Sequence, residues 1–311
     1  MLWLRWTAVV GVGAGTAATL LGGLAPLIPY LELVNQFRPF LVAASLAVLV
    51  LCALTSRRRL VAAGTALAFV NIALMLLPLR LSAPSLAGAL AGSRDQISIL
   101  TFNVWYANTT PERVVDYVRA VDADHVVLQE AFADLAPRIV EPLRALYPFV
   151  MSLPQNTGGV HLLSKAEPTA RGFVSGSPQT PPLVWASFPA GSGRSYTVTG
   201  LHLAFPFEPQ WHEAQTRFLA QRLRTAEGPQ ILVGDLNLAP FTWKMDRLTR
   251  DAGLRRHATF AMTWPAHRFV PVVLLDNLLA SQQFRSAGVT IGPAGLGSDH
   301  RPLLFRLALD P

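Results

Sequence analysis

Three stretches within the first 80 residues carry no charged side chain. They are the 26 residues between Arg5 and Glu32, the 18 between Arg38 and Arg57, and the 20 between Arg59 and Arg80. A helix needs about 20 apolar residues to cross a hydrocarbon layer of about 30 Å. Only a helix or a closed barrel satisfies its backbone hydrogen bonds within lipid. The pattern therefore predicts three transmembrane helices in residues 1–80, with the membrane engaged through residues 6–79. The middle one, Pro39 to Ser56, is the shortest. A cleaved signal peptide is a poorer reading of the first run, because its apolar part is too long and two more runs follow. Buried core helices are the other alternative, and three uninterrupted runs argue against it. The composition agrees, with 51% hydrophobic and only 14% charged residues, where soluble domains average about 25% charged.

The arginines orient the spans. With three crossings, Arg5 and the Arg57-Arg58-Arg59 cluster share one side, and the excess of positive charge assigns that side to the cytoplasm. The first loop, with Glu32 and Arg38, and everything after Arg80 then lie on the other side. The chain reads as an integral protein of a bacterial inner or plasma membrane with an extracytoplasmic C-terminal domain. Much of the net charge of +7 belongs to this topology signal, since seven of the 26 basic residues and two of the 19 acidic ones precede Ile97. The remainder is close to neutral and is no polyanion-binding footprint. A single cysteine, Cys52, excludes a disulfide framework and a cysteine-ligated zinc site.

Residues 81–96, rich in Ser, Ala, Gly and Pro, read as a linker. Residues 97–311 read as one catalytic-size α/β domain. Strand-like runs at Ile97 to Phe102, His125 to Gln129, Pro182 to Phe188, Ser195 to Leu203, Ile231 to Val233, Val272 to Leu279 and Leu303 to Leu307 alternate with helical patterns. One helical pattern is Pro111 to Ala120, with Thr110 as its N-cap; the other is Glu208 to Arg224. An α/β or α+β sandwich fits this order, and an all-β fold does not.

Polar residues recur where apolar runs stop: Asn103, Glu130, His202, Asp235 with Asn237, Asp276, and Asp299 with His300. Each alone has a plain explanation as a turn or a strand-end cap. Eight such positions in six segments point to a site, because strand ends and their loops are where α/β proteins build one. The remaining histidines, His125, His161, His212, His257 and His267, show no metal-ligand spacing and read as core or surface residues.

The segments TFN (101–103), LQE (128–130), LHL (201–203), GDLN (234–237), LDNLL (275–279) and SDHRP (298–302) together make residues 97–307 resemble the endonuclease/exonuclease/phosphatase family, also called deoxyribonuclease-I-like. GDLN and SDHRP are the most specific of the six. The resemblance implies a two-sheet β-sandwich flanked by helices, and hydrolysis of phosphate esters with Mg²⁺, or Mn²⁺ in its place. It implies Glu130 as metal ligand with Asn103 beside it and Asp299 as a further carboxylate. His202, Asp235, Asn237, Asp276 and His300 form the implied catalytic set. An Asp276–His300 pair would hold the imidazole in one tautomer. Either His300 or Asp235 would activate water. Asn277 departs from the aromatic residue or His common at that position, so the wall beside Asp276 is expected to differ. Thr263-Trp264-Pro265 resembles membrane-anchored bacterial members.

The leading expectation is a membrane-anchored phosphodiesterase, acting on nucleic acid or another diester. A phospholipid or sphingolipid head-group hydrolase of the same fold is the alternative. An inactive tethered binding module is the alternative from another class, and the complete set of polar residues argues against it. The loop Ala204-Phe205-Pro206-Phe207 and Trp211 would stack on a base, enter a bilayer interface or be core, with burial given equal weight.

Overall fold

The computed structural model describes residues 2–80, 96–156, 158–191, 193–257, 262–267 and 271–310. The proposed linker falls outside these, except for Gln96, which already belongs to the first strand. The described residues group into two compact units. One comprises Met1–Leu81 with Ala239–Asp246, and the other Ser82–Leu238 with Arg247–Pro311.

The first unit is helical. Helices α1 (Leu2–Gly23), α3 (Arg38–Leu54) and α4 (Arg58–Arg80) follow the uncharged runs, and the short α2 (Glu32–Gln36) lies in the loop between the first two. By length and composition α1 and most of α4 are sufficient to cross a membrane. The middle run is a span only if α3 is taken with the preceding turn, Pro29–Gln36, from which it is bent by 63°. The unit has a polar interior between its apolar helices. Asn71 on α4 donates to Thr19 Oγ1 on α1 at 3.0 Å. Arg38 donates to Asn71 Oδ1 at 3.2 Å and also to Asn35 Oδ1. Asn35 in turn donates to Gly22 O at 2.9 Å. These bonds give most of the buried polar atoms the partners that burial requires, Arg38 Nε excepted.

The second unit is a two-sheet sandwich. One sheet has the order β11-β12-β1-β2-β4-β3, with β1 (Gln96–Asn103), β2 (His125–Gln129), β3 (Phe149–Ser152), β4 (His161–Ser164), β11 (Phe284–Ile291) and β12 (Leu303–Leu309). The other is β5-β6-β7-β8-β10-β9, with β5 (Ala170–Val174), β6 (Leu183–Pro189), β7 (Ser195–His202), β8 (Gln230–Asp235), β9 (Arg255–Arg256) and β10 (Asp276–Ala280). Both sheets share a plan: a central parallel pair, β1/β2 or β7/β8, flanked on each side by antiparallel strands.

The period of two along each strand sorts the core. Ile97 and Ile99 of β1 face the space between the sheets, with Val127, Val184, Phe188, Val198, Val233 and Phe305. Leu100 and Phe102 face the other way, under α5 (Pro111–Val121) and α6 (Leu135–Val140), with Val114, Val118 and Ile139. Each fully buried side chain of this size contributes roughly 1.5–3 kcal/mol. The sheets meet closely at Gly200, where a Cβ would come within 2.6 Å of Val127 Cγ1. Pro111 opens α5 as expected, but Thr110 makes no side-chain cap hydrogen bond.

The sequence reading of one strand needs correction. Val272 to Leu275 is not strand, apart from an isolated bridge between Val273 and Trp264, and β10 begins at Asp276. Asp276 therefore opens a strand rather than closing one. The apolar run was misleading because Leu274 and Leu275 are buried without joining the ladder.

Two buried histidines give the fold an acid sensitivity. Burial lowers His125, with Asp124 partly opposing, and burial reinforced by Arg255 lowers His257, each to about 4 from 6.5. A folded-state pKa below the unfolded one gives stability that is full above pH 6.5 and lost as pH falls towards 4. Each histidine is expected to cost roughly 3 kcal/mol across that window. Thermal melts at pH 7 and pH 4.5 check this, and an unchanged melting temperature would refute it.

Candidate active site

The strand directions explain why the polar positions converge. β1, β2, β7 and β8 run in parallel pairs, so Asn103, the Glu130 that follows β2, His202 and Asp235 all stand at C-terminal strand ends. β10 and β12 run antiparallel to their neighbours β8 and β1, so their beginnings lie at that same end. Asp276 opens β10, and Asp299-His300 precede β12.

The centre of the constellation is a pair of buried carboxylates. Asp235 and Asp276 face each other directly across β8 and β10. Both are buried, at 2% and 1% exposure. Two like charges so placed repel, and a cation between them relieves the repulsion. His300 meets that need. Its Nδ1 lies 2.8 Å from Asp276 Oδ2, and its Nε2 lies 3.6 Å from Asp235 Oδ2. Burial disfavours the imidazolium, but Asp276 and Asp235 outweigh it and raise His300 to about 10. Burial alone would raise Asp235. His300, His202 and hydrogen bonds from Asn103 and the Asn237 amide instead bring it below the usual carboxylate range.

Asp235 Oδ2 is the hub. It accepts from Asn103 Nδ2 at 3.0 Å and lies 3.5 Å from His202 Nε2. Asn103 Nδ2 also donates to Glu130 Oε1 at 2.9 Å. Asn237 Nδ2 lies 3.3 Å from His202 Nε2 and donates to Leu203 O at 2.9 Å. The structure thus brings Asn103, Glu130, His202, Asp235, Asn237, Asp276 and His300 into one connected network. Asp299 joins it more loosely: Oδ2 accepts from Trp264 Nε1 at 3.0 Å. Its Oδ1 is buried and has no hydrogen-bond partner among the described residues.

Three residues in or beside the site hold positive φ without being glycine: Glu130 (60°), Asn237 (49°) and Trp105 (61°), whose amide donates to Asn103 Oδ1. Each costs on the order of 1–3 kcal/mol and persists only where its surroundings dictate it. Gly234 explains the glycine of GDLN, since at φ 150° a Cβ would stand 2.0 Å from Leu201 O.

Other residues carry the site without having been singled out for it. Ser298 Oγ donates to Asn103 O at 2.6 Å and accepts from His300 N at 2.9 Å, joining the two sides. Asn277 is buried and donates to Leu238 O at 2.9 Å and Leu275 O at 3.0 Å, so this departure from the family pattern clamps the loop after Asp235. The equal weight given to burial of the aromatic loop is corrected: Phe205, Phe207 and Trp211 are 53%, 60% and 46% exposed. Phe205 and Phe207 stack at 5.6 Å. Tyr106, whose amide donates to Glu130 Oε2 at 3.1 Å, is likewise exposed.

Two groupings suit a divalent ion. Donor atoms of Asp235, Asp276 and His300 lie within 4.8 Å of one another. Glu130, with its carboxylate partly open to solvent, stands between Asn103 and the Tyr106 amide. The unpaired oxygen of Asp299 adds a further hard donor of the kind Mg²⁺ prefers.

A model of the endonuclease/exonuclease/phosphatase family matches residues 100–300. No curated protein matches the chain in sequence. Among solved structures, an endonuclease/exonuclease/phosphatase from Bacteroides vulgatus aligns with a TM-score of 0.59 at 17% identity, over 69% of this chain and 99% of its own. TDP2 of D. rerio, complexed with a single-strand DNA product, gives 0.56 at 17% identity, over 68% and 98%. A mannosyl-6-phosphatase of Bacteroides thetaiotaomicron gives 0.53 at 14% identity, over 68% and 100%. These likenesses show the fold.

Proposed function

The chain belongs to the endonuclease/exonuclease/phosphatase family, and from that premise we propose a membrane-anchored phosphodiesterase that works with Mg²⁺ or Mn²⁺. That it is a phosphoesterase of a metal-dependent family follows from membership. The diester preference, the anchoring and the residue roles are our reading. The observation that carries it is the placement of His300 between the buried carboxylates of Asp276 and Asp235.

Glu130 would hold the cation, with Asn103 beside it and Asp299 within the same hard-oxygen surroundings. The triad Asp235, Asp276 and His300 is less suited, because the 2.8 Å contact between His300 and Asp276 is a hydrogen bond and the ring carries charge. When bound, the ion supplies charge neutralisation at a phosphate oxygen. In this reading Asp235, ionised, rather than His300, orients a water and accepts its proton. His300, protonated and fixed by Asp276, faces the phosphate and offers a proton from Nε2. His202 and Asn237 present N–H donors to a non-bridging oxygen.

Helices α1, α3 and α4 are proposed as the anchor, residues 1–80 as the membrane domain, 81–96 as the linker and 97–311 as the catalytic domain. Arg57 to Arg59 are assigned to the cytoplasm and the catalytic domain to the outside. A phospholipid or sphingolipid head group is the second reading of the substrate. The exposed Phe205–Phe207 stack and Tyr106 favour it, since aromatic rings favour the bilayer interface.

The test is a panel given to the full chain in detergent with Mg²⁺ or Mn²⁺: single- and double-stranded DNA, RNA, sphingomyelin, phosphoinositides and small phosphomonoesters. Turnover of at least one diester is expected, abolished by EDTA. Intact cells producing the protein should consume a membrane-impermeant diester without lysis. No turnover by a folded, metal-supplied protein would overturn the reading, and turnover only after lysis would reverse the topology.

A further inference from the structure

The turn that carries Glu130 is held from the neighbouring strand. Glu130 follows β2 with a left-handed φ of 60°. A residue other than glycine keeps that conformation only where its surroundings dictate it. Both backbone polar groups of the next residue, Ala131, are taken by the segment that leads into β4. The Ala131 amide donates to Gly159 O at 3.0 Å. The Ala131 carbonyl oxygen lies 2.7 Å from His161 Nε2. Gly159 packs against the same turn, since a Cβ on it would stand 3.0 Å from Glu130 Cα. All of these residues belong to the sandwich unit.

His161, which the sequence reading left as core or surface, opens β4 and is buried at 1% exposure. Across the sheet it is level with Leu128 of β2, so its ring stands beside the turn that follows. A carbonyl oxygen only accepts, so Nε2 carries the proton. Burial lowers the pKa of the ring from 6.5, with the bond to Ala131 opposing, and the imidazole is neutral at pH 7. Nδ1 is then an acceptor, and Ser152 Oγ, 2.7 Å away, donates to it. Ser152 and His161 face each other in the antiparallel pair β3/β4. The chain of bonds from Ser152 through His161 to Ala131 thus fixes one tautomer of a buried ring and aims its proton at the backbone beside Glu130. Asn103 and the Tyr106 amide hold the Glu130 carboxylate itself, but neither holds the peptide that follows it.

We propose that His161, kept in one tautomer by Ser152, is a positioning residue for the metal-binding carboxylate. It fixes the peptide after Glu130, and with it the direction in which the Glu130 side chain leaves the backbone. The proposal rests on the reading of Glu130 as the ligand of the cation. It gives the short edge strands β3 and β4 a part in metal affinity, although neither carries a residue that would touch the ion.

The experiment compares the wild type, Glu130→Gln, His161→Leu, His161→Gln and Ser152→Ala, each as full chain in detergent. It measures Mn²⁺ binding by the paramagnetic resonance signal of the free ion, and diester turnover at saturating Mn²⁺. Partners that support a metal ligand are worth about 10–100-fold in affinity, so His161→Leu should bind Mn²⁺ about tenfold more weakly, with kcat at saturating Mn²⁺ within about threefold. His161→Gln places an amide N–H where Nε2 stood and should restore the affinity. Ser152→Ala removes one hydrogen bond and should weaken Mn²⁺ binding about threefold. It carries the test should His161→Leu not fold. Wild-type affinity in the folded His161→Leu protein, beside weakened binding in Glu130→Gln, would overturn the proposal alone. So would a His161→Gln protein as impaired as His161→Leu, or a loss confined to kcat with Mn²⁺ affinity unchanged, which is the mark of a merely structural role. Unweakened Mn²⁺ binding in Glu130→Gln would overturn the reading of Glu130 as ligand, and the proposal with it.

Discussion

Exchanging His300 for Ala is expected to lower kcat by about a thousandfold or more, with a much smaller change in KM. His300 is the one imidazole that reaches both carboxylates facing each other on β8 and β10 among the described residues. Losing it removes both the proposed acid and the electrostatic reason for Asp235 to stay ionised. General acid–base groups are worth about 10²–10⁴ in rate, and this residue also organises its neighbours. Asp235→Asn should cost a comparable factor, and the double variant little more than either alone, because groups that act as a unit are not additive. The pH profile provides a second check. With His300 raised to about 10, kcat/KM should hold through neutral pH and fall as the proton leaves near that value. Steady-state assays on folded variants decide the matter. A His300→Ala enzyme within tenfold of wild type would remove His300 from the mechanism.

The second large effect is expected from Glu130→Gln. The carboxylate is held by Asn103 Nδ2 and the Tyr106 amide, both of which a glutamine oxygen would still accept. Geometry should therefore survive while the negative charge disappears. Partners that only support a metal ligand typically cost 10–100-fold in affinity when lost. Removing the proposed ligand charge itself should raise the Mg²⁺ concentration for half-maximal activity by about a hundredfold or more. Titrating activity against Mg²⁺ measures this directly. An unchanged Mg²⁺ requirement would move the proposed ion site away from Glu130, towards the Asp235, Asp276 and His300 cluster.

Much of the sandwich could be read from residues 97–311, because apolar alternation and glycine-bearing turns are local signals. The missed strands had weaker ones. β3 and β4 are four residues each, β9 is two, β5 is largely open to solvent, and β11 is only partly buried and irregular between Ser286 and Gly288. Val272 to Leu275 has strand composition but pairs only through Val273, so composition alone placed Asp276 at the wrong end of its strand. The site residues were legible because each stood where an apolar run met a loop. Which atoms face one another was not, since the opposition of Asp235 and Asp276 depends on the register between β8 and β10. The work of Ser298, Trp264 and Asn277 was invisible for the same reason: their partners lie far along the chain. The bond from Glu32 to Lys244 spans 212 positions, and no local pattern could announce it.

The shared plan of the two sheets divides the site into halves. Asn103 and Glu130 come from one central parallel pair, and His202 and Asp235 from the other. The bond from Asn103 to Asp235 is therefore a stitch across the sandwich. Just below it, Gly200 and Val127 set how near the layers come. Neither layer holds a working half-enzyme. A sub-ångström shear of one layer over the other would part the proposed base, Asp235, from both His300 and Glu130, the proposed acid and metal-binding carboxylate, at once. Catalytic competence in this molecule is thus a gauge of interlayer registry, and the apolar filling between the sheets is as much an alignment device as a source of stability.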